Sequence, residues 1–167
     1  MTAIVDRSRI GRSNRNRGAK AERDVARWFR DNGWTNAERK SDNGWKTADR
    51  ESADRGDIRG LDRLVIQVKY LADMTDLAVA NAMAAAVEQA VAAGADYGIL
   101  VQRRVGKASP GQWWAWMSAW DLHTLVAGRH WPVPPSVEAR VPVRMQLQHL
   151  VPLLHAAGYG TSTAVAS

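Results

Sequence analysis

A chain of 167 residues with net charge +6 and no cysteine can form one ordinary domain, burying about 70% of its unfolded surface without disulfides or thiolate metal sites. It has no run of about 18 apolar residues, and its arginine-rich start is too polar for a secretory signal, which argues against a membrane span and for a cytoplasmic protein. The charge excess is wholly N-terminal: residues 1–30 hold nine Lys or Arg against three Asp or Glu, while the remainder holds fourteen of each.

Residues 1–16, with Arg7, Arg9, Arg12 and Arg15 in a Gly, Ser and Asn context, read as a flexible basic arm, with Arg17 and Lys20 just beyond it. Arg12, Arg15, Arg17 and Lys20 are candidate phosphate contacts, against the plainer reading of a solvated tail. Gly18 to Asn32 has helical periodicity, with Val25, Ala26, Trp28 and Phe29 as its apolar stripe and Gly33 at its end. Glu22 falls between Ala26 and Phe29 on that helix, so its carboxylate enters the interior face and needs a partner. Lys69, a cation at Asp57, or both could supply one, and a neighbouring arginine is the plain structural alternative.

Thr35 to Ser41 can form a strand, followed by a polar loop to Gly56 that contains the turn signal Asn43-Gly44. That loop carries Asp42, Asp49, Glu51 and Asp54, rivals of Asp57 as ligands but in positions where carboxylates are usually solvated. Two strands follow, Gly56 to Gly60 and Leu64 to Tyr70. In the second, Val65, Gln67 and Lys69 share one face, while Leu64, Ile66, Val68 and Tyr70 share the other. A paired strand carrying Asp57 brings a carboxylate close to an amide and an amine, a setting for a hard cation.

Thr75 to Ala93 reads as an alanine-rich helix closed by Gly94, Asp96 to Arg104 as a buried strand, and Gln112 to Ala119 as another. The hairpin between those strands carries Arg103, Arg104 and Lys107, further candidate DNA contacts. Asp121 to Gly128 reads as a short helix with Asp121 as N-cap. Beyond residue 128, Pro132, Pro134, Pro135, Pro142 and Pro152 mark residues 129–167 as an extension outside the core. A helix within Met145 to Ala157 would be kinked or shortened by Pro152, and Gly158 to Ser167 would be disordered. His123, His130, His149 and His155 have no spacing that links them to the strand pair, and Trp113, Trp114, Trp116 and Trp120 read first as packing residues. The element order predicts an α/β fold with a mixed central sheet flanked by helices, in the order αβββαβ.

The order Glu22, Asp57, Gln67-Val68-Lys69 resembles the PD-(D/E)XK nuclease superfamily, in the variant where glutamine replaces the last acid, as in Mrr-like restriction enzymes. Arg17-Gly18-Ala19-Lys20-Ala21-Glu22-Arg23-Asp24, Asp54-Arg55-Gly56-Asp57-Ile58 and Arg103 to Gly111 are similar to archaeal-type and phage Holliday junction resolvases. The resemblance covers roughly residues 17 to 127 and departs from the pattern at Gly56, where the motif has proline, and at Gln67. It implies a restriction-endonuclease-like core over 17–128 and a metal-dependent, structure-specific DNA endonuclease. Four-way junctions, a homodimer and a prokaryotic or phage-infected cytoplasm go with it. The alternatives are an Mrr-like restriction or repair nuclease and an inactive DNA-binding module of the same fold.

On that resemblance Glu22, Asp57, Gln67 and Lys69 are the catalytic set, and Asp57, Gln67, Glu22 and the Val68 carbonyl the metal ligands. An all-oxygen set suits Mg²⁺, with Mn²⁺ able to replace it. Lys69 would orient or deprotonate the attacking water, or stabilise the charged phosphorane. Because Gln67 is neutral, one well-occupied metal is expected rather than two.

Overall fold

In the computed structural model, residues 7–40, 56–71, 73–128, 136 and 140–161 are described. The acids Asp42, Asp49, Glu51 and Asp54 and the residues 162–167 lie outside them.

The chain opens with helix α1, Arg7–Asp31, which buries Ala21, Val25, Ala26 and Phe29. It begins far earlier than Gly18, so the expected flexible arm is helical from Arg7 onward. Arginine is a good helix former, and Gly11 and Gly18 each cost only about 1 kcal/mol, too little to break a helix without proline. The short strands β1, Glu38–Arg39, and β2, Ile58–Arg59, pair antiparallel. Next come β3, Leu64–Lys69, helix α2, Asp76–Ala92, and β4, Tyr97–Gln102. After a 3-10 turn at Pro110–Gln112 follow β5, Trp114–Ser118, helix α3, Ala119–Ala127, strand β6, Pro142–Gln146, and helix α4, Leu147–Ala156.

The predicted αβββαβ order is present and continues past it. The main sheet has the order β3-β4-β5-β6 and is mixed: β3 and β4 run parallel, and the other two pairs antiparallel. Leu64, Ile66, Val68, Ile99, Val101, Ala115 and Met117 turn to the face that α1 and α4 cover. Leu100 and Trp116 turn to the opposite face and meet Val79, Ala82 and Met83 of α2. There α2 sits very close to β4, since a Cβ on Gly98 would stand 2.2 Å from the Ala86 carbonyl oxygen.

The C-terminal segment is core, not appendage. Strand β6 completes the sheet, with Ala115 opposite Met145 and Met117 opposite Val143, and Leu147, Leu150, Val151 and Leu154 of α4 are buried against α1. Proline spacing concealed this, because Pro142 begins an edge strand and Pro152 is exposed within a helix whose stripe still faces inward. Gly158 to Thr161 are likewise ordered: Tyr159 is buried and donates to Asp96 Oδ2 (2.5 Å), while the Thr161 N–H donates to the Gly33 carbonyl (2.9 Å). Helix α3 is capped by Ser118, whose hydroxyl accepts from the Asp121 N–H and donates to Asp121 Oδ2; Asp121 belongs to the first turn and is not the cap.

Truncating a fully buried leucine costs about 2–5 kcal/mol, so Leu150→Ala should lower unfolding stability by that order in a urea titration. An unchanged midpoint would show that α4 is dispensable to the core.

Candidate active site

The site begins at a glycine. Gly56 has φ +76°, and a Cβ there would stand 2.7 Å from the Ile66 carbonyl oxygen. Proline, fixed near −65°, cannot take this conformation, which gives a physical reason for the departure from the motif. The turn presses Asp57 onto the outer edge of β3. Its backbone N–H donates to the Ile66 carbonyl (2.8 Å), its carbonyl accepts from the Lys40 N–H (2.9 Å), and its Oδ2 accepts from the Val68 N–H (2.6 Å).

Within a strand, the N–H and C=O of one residue point the same way and alternate along the chain. The Lys69 carbonyl accepts from the Arg103 N–H, so Lys69 and Gln67 direct their backbone groups toward β4. Ile66 and Val68 direct theirs to the free edge, which places the Val68 carbonyl on the same side as the Asp57 carboxylate. Gln67 is 9% exposed, and its Oε1 is buried with no hydrogen-bond partner among the described residues. A buried oxygen without a donor is costly, and a cation is one way to offset it. Lys69 is half-buried, and among the described residues its ammonium has neither ion pair nor acceptor.

Glu22 departs from expectation. Its Oε2 accepts from Arg39 Nε–H at 2.5 Å, so Arg39, not Lys69, is its partner among the described residues. Arg39 lies opposite Ile58, one residue from Asp57, and thus ties α1 to the Asp57 strand. Arg39 escaped sequence reasoning because it sits in a two-residue strand, but a carboxylate on an interior helix face followed by an arginine-bearing strand was the available signal.

Among the described residues no group of three or more His, Cys, Asp or Glu side chains could hold a metal ion. The donor set that remains is mixed: the Asp57 carboxylate, the Gln67 amide oxygen and the Val68 carbonyl, all hard oxygens of the kind magnesium takes. Glu22 could reach such an ion only by sharing its carboxylate with Arg39.

The basic candidates divide. Arg103 lies at the end of β4 beside Lys69, with its guanidinium 4.6 Å from the Tyr70 ring centroid, and Arg104 lies 4.3 Å from that of Trp114. Lys107 is half-exposed in the same hairpin, and its carbonyl accepts from the indole N–H of Trp113, which is buried. Arg12, Arg15 and Arg17 are exposed on the first half of α1; Arg12 shares a stripe with Arg23 and Arg27 opposite the core, while Arg15 falls in line with Ala26 on the core side and Arg17 lies off both. Lys20 is held by Asp24 (2.6 Å) in an exposed pair one helical turn apart. His155 is structural, stacked on Trp34 and bonded to the backbone of Asn32 and Tyr159.

Compared with protein-family models, curated proteins and solved structures, the chain matches none.

Gly56→Ala should cost about 1–2 kcal/mol for the positive φ alone, with the Ile66 contact in addition, and should displace Asp57 from Val68. Amide exchange at Val68, read by NMR, checks it: continued protection in the variant would mean that the glycine does not seat Asp57.

Proposed function

We propose that this chain is a metal-dependent DNA endonuclease of the PD-(D/E)XK type, with a restriction-endonuclease-like core and glutamine in place of the last acid. The observation that carries the reading is the contact of Asp57 with the Val68 N–H, which sets a carboxylate at the strand edge between Gln67 and Lys69. The Gln67 oxygen and the Lys69 ammonium, neither of which has a partner among the described residues, support it.

Asp57, the Gln67 Oε1 and the Val68 carbonyl would hold the ion, which when bound supplies Lewis-acid charge neutralisation and a more acidic water. Asp57 contributes the negative charge, and its bond to Val68 holds the carboxylate at the strand edge. Lys69 places a cation beside the scissile phosphate, where it orients the attacking water or balances charge on the phosphorane. Arg39, held by Glu22, keeps β1 and β2 against α1 and so positions Asp57. No helix among the described residues is long and apolar enough to cross a membrane.

The substrate we propose is branched DNA, a four-way junction above all, cut by a homodimer. The resemblance of the α1 and hairpin segments to junction resolvases supports this, and paired cuts on a symmetric junction need two sites.

One neutral ligand leaves room for one firmly held ion. Calorimetry should find a single magnesium site in the native protein, and Gln67→Glu should add or tighten a second; two tight sites at the outset would contradict the ligand set. Asp57→Asn and Lys69→Ala should each lower magnesium-dependent cleavage by about 10²–10⁴-fold while leaving the fold intact by circular dichroism. The decisive assay is cleavage of a panel of junction, flap, nicked, linear and methylated DNA. Preference for the junction supports a resolvase, cutting confined to methylated duplex supports an Mrr-like enzyme, and junction binding without any cleavage leaves a DNA-binding module.

A further inference from the structure

We propose that the sheet face on the α2 side carries a preset phosphate track, built by Arg104 and Arg144 on Trp114 and Trp116, that takes the backbone of a DNA arm leaving the Asp57–Lys69 edge. The DNA substrate rests on the nuclease reading; the track itself rests on geometry.

Two register rows cross all four strands. Lys69 faces Gln102, which faces Trp114, which faces Gln146; Gln67 faces Leu100, then Trp116, then Arg144. Residues directly opposite in a ladder share a face, so Gln67 and Lys69 stand on the same sheet face as both tryptophans and Arg144, with the buried Leu100 and Gln102 between them. Three strand spacings of about 4.8 Å put Arg144 some 14 Å from Gln67.

The arginines are held in place without being neutralised. The Arg104 guanidinium lies 4.3 Å from the centroid of Trp114, and that of Arg144 lies 4.7 Å from Trp114 and 5.4 Å from Trp116. Arg39, Arg63 and Arg140 each have a carboxylate, whereas neither Arg104 nor Arg144 makes an ion pair among the described residues. The Trp116 ring is fixed in turn, because its Nε1–H donates to Gln102 Oε1 (2.9 Å) and Gln102 Nε2 donates to the Leu71 carbonyl (3.2 Å), with Gln102 buried. A guanidinium lying on an aromatic ring keeps its N–H groups for a planar acceptor, and the ordering of two long side chains precedes binding. The bland role, arginine stems shielding half-buried tryptophans from water, predicts no anion dependence.

The test is fluorescence anisotropy of a labelled duplex over a salt series, in chelator so that no cleavage occurs. Arg104→Gln and Arg144→Gln should each weaken binding and reduce the log–log salt slope by about one, the signature of one phosphate contact. Trp114→Leu should weaken binding although every cation remains, and Trp114→Phe should restore it. If the double arginine variant, folded by thermal melt, keeps wild-type affinity and slope, the track is overturned whatever the enzyme cuts. Loss of binding in that variant, with no magnesium-dependent cleavage by the wild type, supports the track and overturns the nuclease reading instead.

Discussion

The candidate site depends on how one residue ends the pairing of β3. An unpaired strand edge exposes N–H and C=O groups that must find partners. Asp57 satisfies two of them in different ways, its main-chain N–H donating to the Ile66 carbonyl and its carboxylate accepting from the Val68 N–H. A full-length strand there would have covered the edge with backbone alone and left no carboxylate. Because the carboxylate of Asp57, and not a backbone carbonyl, takes the next edge position at Val68, the chemistry of β3 acquires an acid. Gly56 allows the close approach, and Lys40 bonds the Asp57 carbonyl from the other side.

Around that edge the charges are arranged by burial. Glu22 and Arg39 meet where both are partly covered, so their attraction is less screened than that of the exposed Lys20–Asp24 pair. The pair joins α1 to the Asp57 strand, while α1 and α4 together cover the apolar face beneath. On the other face α2 covers Leu100 and leaves the Lys69 end more open, so the ammonium keeps access to solvent. The two faces thus separate stability from chemistry.

Much of this was legible because alternation is unambiguous in a six-residue strand: Gln67 and Lys69 had to share a face, and Asp57 had to come from a neighbour. The alanine-rich helix and its seat on the sheet were equally readable, since small residues at helical spacing allow what Gly98 and Ala86 realise. Contacts far apart in sequence were not. Arg39 is 17 residues from Glu22 and looked like an ordinary polar strand residue. Proline density suggested that the chain beyond 128 left the domain, although the Leu147, Leu150, Val151 and Leu154 stripe already pointed inward. Ser118 and Asp121 are both good caps, and only the backbone geometry chooses between them. The charge of the arginine-rich start suggests a flexible arm, but its helix-forming residues are the better guide.

Parallel pairing of β3 with β4 has a consequence for how this scaffold can change. It brings the carboxyl ends of both strands to one rim, where the connection after β3 and residues 103–109 after β4 emerge side by side. Neither segment supplies the leucines and isoleucines that hold the layers together. Insertions, deletions or grafted sequences at that rim can therefore retune what the protein grips while the framework beneath stays as it is, so selectivity and foldedness can evolve on separate stretches of the chain.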